Sequence, residues 1–199
     1  MLIEETNIPD AVLPLAAFKA HLRMGTGFSD TSLQDAVLGS FLRAALAAVE
    51  GRTGKVLIER EFTLSLSELK QQDTVMLPVA PVTVVDKVVL VARGGSEQVL
   101  DVGLYWLERD NHTPRLRSTA ASLPEPEAGG AFGVRFLAGY GPEWDDIPAD
   151  LQQAVMMLAA HYYEYRHDTA LGGGCMPFGV TSLIERFRTL RLGAIGAQP

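Results

Sequence analysis

PVTVVDKVVLVARGG, residues Pro81–Gly95, decides how this chain is read. Val82–Val91 is an apolar, mostly β-branched run broken only by Thr83, Asp86 and Lys87. That composition suits a strand, because branched side chains pack well on a pleated surface. Pro81 opens the run. Gly94-Gly95 closes it as a hairpin turn, so Gln98–Leu100 is expected to return beside it. Upstream, Phe62, Leu64 and Leu66 alternate with Thr63, Ser65 and Ser67, the period-two pattern of a half-buried strand. Val75–Leu77 reads as a short strand ended by Pro78. Leu104–Glu108 and Phe132–Ala138 are two more, separated by a loop rich in Pro, Glu, Ala and Gly over Ala120–Gly130. Together these segments predict an antiparallel β module over residues 58–141.

On either side of the module the period changes from two to three or four. Leu13–Met24 places Leu15, Phe18 and Leu22 on one helical face. After the loop Gly25-Thr-Gly-Phe-Ser-Asp, Thr31 and Gln34 fit a capping box. The helix they open carries Leu33, Val37, Phe41, Ala44, Ala45 and Ala48, with Gly51 and Gly54 as possible stops. Beyond the strands, Gly139-Tyr-Gly-Pro closes the module and Pro148 suits the first turn of a helix. Its stripe is Leu151, Ala154, Val155, Leu158, Tyr162 and Tyr165. Gly172-Gly-Gly follows, then a last helix over Val180–Arg191, then a small-residue tail over Gly193–Pro199. The expected class is therefore α+β. Residues 1–57 give N-terminal helices, 58–141 the inserted module, and 142–170 a long helix completing a helical body. Residues 171–199 give a glycine-rich connector and a final amphipathic helix.

The 199 residues are 47% hydrophobic and 21% charged, ordinary for a globular chain. The net charge of −7 argues against wrapping nucleic acid, which needs a cationic surplus. It still suits a wall past which a polyanion slides. The single cysteine, Cys175, allows no internal disulfide and no thiolate-rich zinc site. The opening MLIEETNIPD is acidic and unlike a signal peptide, and the apolar run at Leu151–Tyr163 is too short to span a membrane.

Few residues suggest chemistry. His161, Glu164 and His167, at i, i+3 and i+6, spread over about a third of a helix circumference, looser than a paired-histidine zinc motif. Cys175 would need a base such as His161 or His167 to act as a nucleophile. These residues define one functional alternative, a small metal-dependent or cysteine hydrolase. Gly25-Thr-Gly and Gly172-Gly-Gly lack the context of a phosphate-binding loop. Asp145 and Asp146 precede a helix start, where capping and the helix dipole account for them. The last helix has two readings. Val180, Leu183, Ile184, Phe187 and Leu190 form one face, either packed into the chain's own core or docked on a partner. Arg186, Arg188 and Arg191 lie largely off that face, a partner-contacting or DNA-contacting set.

The order of these pieces resembles a known family. Its carriers are Leu15…Lys19…Leu22-Arg23, Ala47-Ala-Val-Glu…Thr53-Gly54 and Pro81-Val82…Val85…Val88. They continue with Phe136-Leu-Ala-Gly-Tyr-Gly141, Ile147-Pro-Ala-Asp-Leu-Gln-Gln-Ala154…His161-Tyr-Tyr-Glu-Tyr-Arg166 and Pro177-Phe-Gly-Val180…Leu183…Phe187-Arg188…Leu190. Over most of its length the chain is similar to the head-tail connector, or adaptor, group of tailed phages, prophages and gene transfer agents. The resemblance implies a helical fold with a β insertion, assembled as a dodecameric ring. It implies the portal protein as one partner and a stopper or tail component as another, with DNA passing through the ring without specific binding. It implies a virion component made in the bacterial cytoplasm, with no membrane partner, no cofactor, no metal and no catalytic residue. On this reading Leu183, Ile184, Phe187, Arg186, Arg188 and Arg191 form a partner interface.

Overall fold

Two hydrophobic cores, one enclosed by helices and one by strands, organise an α+β structure. The computed structural model describes residues 1–24, 31–166 and 176–188. In chain order the elements are β1 (Leu2–Glu4), α1 (Leu15–His21), α2 (Thr31–Thr53), β2 (Arg60–Leu66), β3 (Thr74–Met76) and β4 (Val82–Val91). There follow β5 (Glu97–Val99), β6 (Tyr105–Glu108), β7 (Arg115–Ser118), β8 (Ala131–Ala138), α3 (Ala149–Glu164) and α4 (Phe178–Ile184). The loop read at 25–30, His167, Gly172-Gly-Gly, Cys175, Arg191 and the tail lie outside the described residues. So do the side chains of Thr31 and Leu33.

In the helical core, α2 contributes Leu38, Leu42, Ala45, Leu46 and Val49 at three- and four-residue steps. They meet Leu151, Ala154, Val155, Leu158 and Ala159 of α3. Ala45, Ala154 and Ala159 are fully buried, and such small side chains let helix axes approach closely. Phe18 of α1 fills the same core, and α4 packs on α3, adding Val180 and Ile184 to it. Gly54, at φ +69°, ends α2 in the left-handed conformation that favours glycine.

The strands form two antiparallel sheets, with orders β1-β2-β8-β4-β5 and β3-β7-β6. Phe62, Leu64, Val82, Val88, Phe132, Val134 and Phe136 from the first meet Val75, Tyr105 and Leu116 from the second in one core. The expected hairpin forms, with Val89 opposite Val99 and Val91 opposite Glu97. Within β4, register shifts fall at Thr83 and Asp86, so these polar residues are the extra ones of bulges rather than breaks in the strand.

Several expectations need correcting. The first helix covers Leu15–His21 rather than Leu13–Met24. The last helix begins at Phe178 and ends at Ile184, not Val180–Arg191. A 3-10 turn, Glu185–Phe187, follows, and Arg188 is extended. Two strands, β1 and β7, were not anticipated. β1 pairs with β2, so the N-terminal segment belongs to the sheet as well as to the helical part. Asp146 does cap, accepting the Glu143 N–H at 2.9 Å, but within a 3-10 turn over Trp144–Asp146 that precedes α3, whose own first turn carries Asp150.

Candidate functional site

The last helix divides its residues between the chain's own core and solvent. Pro177 precedes α4, and Val180 and Ile184 are buried against the helical core. Ile184 is 1% exposed, which leaves it no surface to offer a partner in this conformation. Leu183 and Phe187 are half-buried against the same core. Arg186 and Arg188 are exposed. Arg186 reaches Asp150 of α3 at 2.8 Å and lies over the Phe187 ring at 4.7 Å. Arg188 pairs with Glu185 at 3.2 Å. Burial pushes the Tyr140 phenol above its usual range, opposed by the Arg186 charge.

Of the residues of the hydrolase alternative, the structure describes His161 and Glu164. His161 stands on α3 with its ring 4.7 Å from that of Tyr165, and Glu164 is exposed. Among the described residues, no group of three or more His, Cys, Asp or Glu side chains could hold a metal. His167 and Cys175 lie outside the described residues. No helix among the described residues is long and apolar enough to cross a membrane.

A concavity lies where the helices meet the strands. This groove, about 790 Å³, runs between the end of α2 and strands β1 and β2. Its charges close on one another. Arg60, 7% exposed, donates to both oxygens of Glu50, at 2.6 and 2.7 Å, and to Glu4 at 2.7 Å. Glu50 also accepts the Leu57 N–H at 2.7 Å. Burial pushes the Glu50 carboxyl above its usual range, opposed by Arg60. Arg43 donates to the Ile8 carbonyl at 2.8 Å and pairs with Asp10. Lys55, buried, donates to the Asn111 carbonyl and approaches His112 Nδ1 at 3.2 Å; burial lowers its pKa. A buried pair whose partners satisfy each other holds geometry and offers no free base or nucleophile. The groove is therefore a polar joint that fixes the β module on the helices.

The sequence reading missed this joint, although both of its centres carried a signal. Glu50 continues the buried stripe Leu42–Leu46 by four residues, and Arg60 shares the inward parity of Phe62 and Leu64. A charge on an apolar parity marks a buried pair as readily as it marks an element's end.

No protein-family model matches the sequence, and no curated protein matches it either. Solved structures do. A chain from the neck of an empty gene transfer agent particle, with C6 symmetry, is 47% identical, with 98% of each chain covered and a TM-score of 0.89. A chain from the virion of a native gene transfer agent particle is also 47% identical over 98% of each chain, with a TM-score of 0.86. A chain from the neck of a native particle, with C12 symmetry, is 44% identical over 98% of each chain, with a TM-score of 0.84.

Proposed function

We propose, from the premise that this chain belongs to the same family as these gene transfer agent particle proteins, that it is the head-tail adaptor of such a particle. It is a structural component of the particle, located in the virion. In this reading its copies form a ring that joins the portal protein to a stopper or tail component, and DNA passes through the centre. The observation that carries the reading is the match over 98% of both chains, at 47% identity, to a protein of a particle neck.

Physical features support it. A ring subunit needs two different surfaces that meet head to tail and close by rotation. The net charge of −7 suits a conduit that must not grip a polyanion. The two cores support a helical body carrying an inserted module at 58–141, to whose sheet β1 of the N-terminal segment adds. The last segment, 171–199, then supplies contacts to the portal through Arg186, Arg188 and the half-buried Leu183 and Phe187.

The test is to delete the gene in particle-producing cells and image the particles by cryo-electron microscopy. Expected are capsids without tails, restored by the wild-type gene, whose product forms a ring at the neck. Normally tailed particles from the deletion strain would overturn the assignment.

A further inference from the structure

The β module turns two sheet surfaces outward, one from each side of its core, and they differ in chemistry. On the five-stranded sheet, Val84 is 47% exposed and Leu137, its partner across the strands, is half-buried. Beside them is a depression of about 220 Å³ bordered by the carboxylates of Glu5, Glu61 and Asp86. Arg135, at the same depression, is already paired with Glu97 at 3.2 Å. Among the described residues none of those three carboxylates forms an ion pair.

The three-stranded sheet presents two cross-strand rows, Met76–Arg115–Glu108 and Thr74–Arg117–Trp106. Met76 is 58% exposed and Trp106 48%. Arg117 is engaged by Glu108 at 2.6 Å, whereas Arg115 forms no ion pair among the described residues. Met76 and Trp106 stand on the two outer strands of this sheet, either side of β7, and tryptophan and arginine are the types that anchor a contact surface.

We propose that these two faces dock on each other between neighbouring copies of this chain: Trp106 of one copy seats in the Val84–Leu137 depression of the next, and Arg115 meets the Glu61 carboxylate beside it. The occupant is a second copy because the unpaired charges of the two faces are opposite, carboxylates by the Val84–Leu137 depression on one and Arg115 on the other. The two sheets enclose one core, so their outward faces look away from each other. A contact from one to the other is heterologous and propagates from copy to copy, as a ring requires. The inference rests on the ring reading above.

The test uses full-length chains carrying Arg115→Glu, Glu61→Arg, both together, or Trp106→Ala, each supplied to particle-producing cells that lack the gene. Copies per particle are counted by quantitative mass spectrometry, and folding is checked by urea unfolding of the purified chain. Each charge reversal is expected to cut incorporation about ten-fold or more with an unchanged unfolding midpoint, and the double reversal to restore it. Trp106→Ala should cut it similarly. Single reversals that incorporate at the wild-type level overturn the docking, and so does a double reversal that stays defective, the result expected if another neck protein covers these faces. Wild-type chain missing from particles would instead sink the ring reading itself.

Discussion

Arg60 donates two hydrogen bonds to Glu50, 2.6 and 2.7 Å long, from the first residue of β2 to the last full turn of α2. This bidentate pair ties the strand core to the helical core. Glu50→Ala would leave a guanidinium that is 7% exposed with only Glu4 and the Ile58 carbonyl, and would strip the Leu57 N–H of its acceptor. The expected loss is about 3 kcal/mol, the size seen when one partner of a buried pair is removed. Glu50→Leu combined with Arg60→Met should cost less than either single alanine substitution, because no charge is then left buried and unpaired. Urea unfolding of the isolated chain measures all three. Single-site losses under about 1 kcal/mol would mean that water already screens the joint.

Lys55 gives the joint a pH dependence of defined sign. Burial lowers its pKa from the ordinary 10.5, with Asp110 opposing. The unfolded chain therefore holds this proton more tightly than the folded one. A group of this kind favours folding above its unfolded pKa, and that contribution fades as pH falls through the depressed folded value. Wild-type protein should gain stability relative to Lys55→Met as pH rises from neutral toward about 10. Unfolding midpoints of both proteins across that range decide it, and parallel curves would remove Lys55 from the account.

How far these features could be read in advance varied with the residues. β4 was legible because its branched side chains leave little alternative, and two of its three polar interruptions, Thr83 and Asp86, turned out to be bulges. β7 was not, because three of its four residues, Arg115, Arg117 and Ser118, are polar and only Leu116 turns inward. That strand exists because partners on both sides complete its hydrogen bonds, a long-range cause that local pattern does not carry. The final helix kept its apolar spacing through Phe187, but the backbone tightens to a 3-10 turn and then extends at Arg188. Among the anticipated contact residues, Arg186 and Arg188 are exposed, whereas Ile184 went to the chain's own core.

Gly139 is the return point from the sheet to the helices. Its φ is +143°, and a Cβ placed there would fall 2.3 Å from the Glu59 Cα and 2.5 Å from the Glu59 nitrogen. Both obstacles are backbone, next to the bridge between Ile58 and Gly141 that joins the two segments. Gly139→Ala should therefore destabilise by roughly 2–4 kcal/mol, a backbone penalty added to a clash that no rotamer relieves. Thermal unfolding followed by circular dichroism would register it as a clear drop in Tm. A variant that melts with the wild type would mean that the β8 end relaxes at little cost.

The last helix separates folding from assembly. Ile184→Asp puts a carboxylate where the side chain is 1% exposed, and should cost about 3 kcal/mol or more for want of a partner. Leu183→Asp with Phe187→Asp touches half-buried positions and should destabilise less, because part of each side chain already faces water. Arg186→Ala with Arg188→Ala removes exposed pairs, to Asp150 and Glu185, and the Arg186 contact with the Phe187 ring, and should change stability by no more than about 1 kcal/mol. That arginine pair is therefore the informative variant. If this end of the chain contacts the portal, incorporation into particles should fall several-fold while the unfolding midpoint stays in place. Undiminished incorporation would assign α4 to the helical body alone, and the contact to the portal would have to come from another surface.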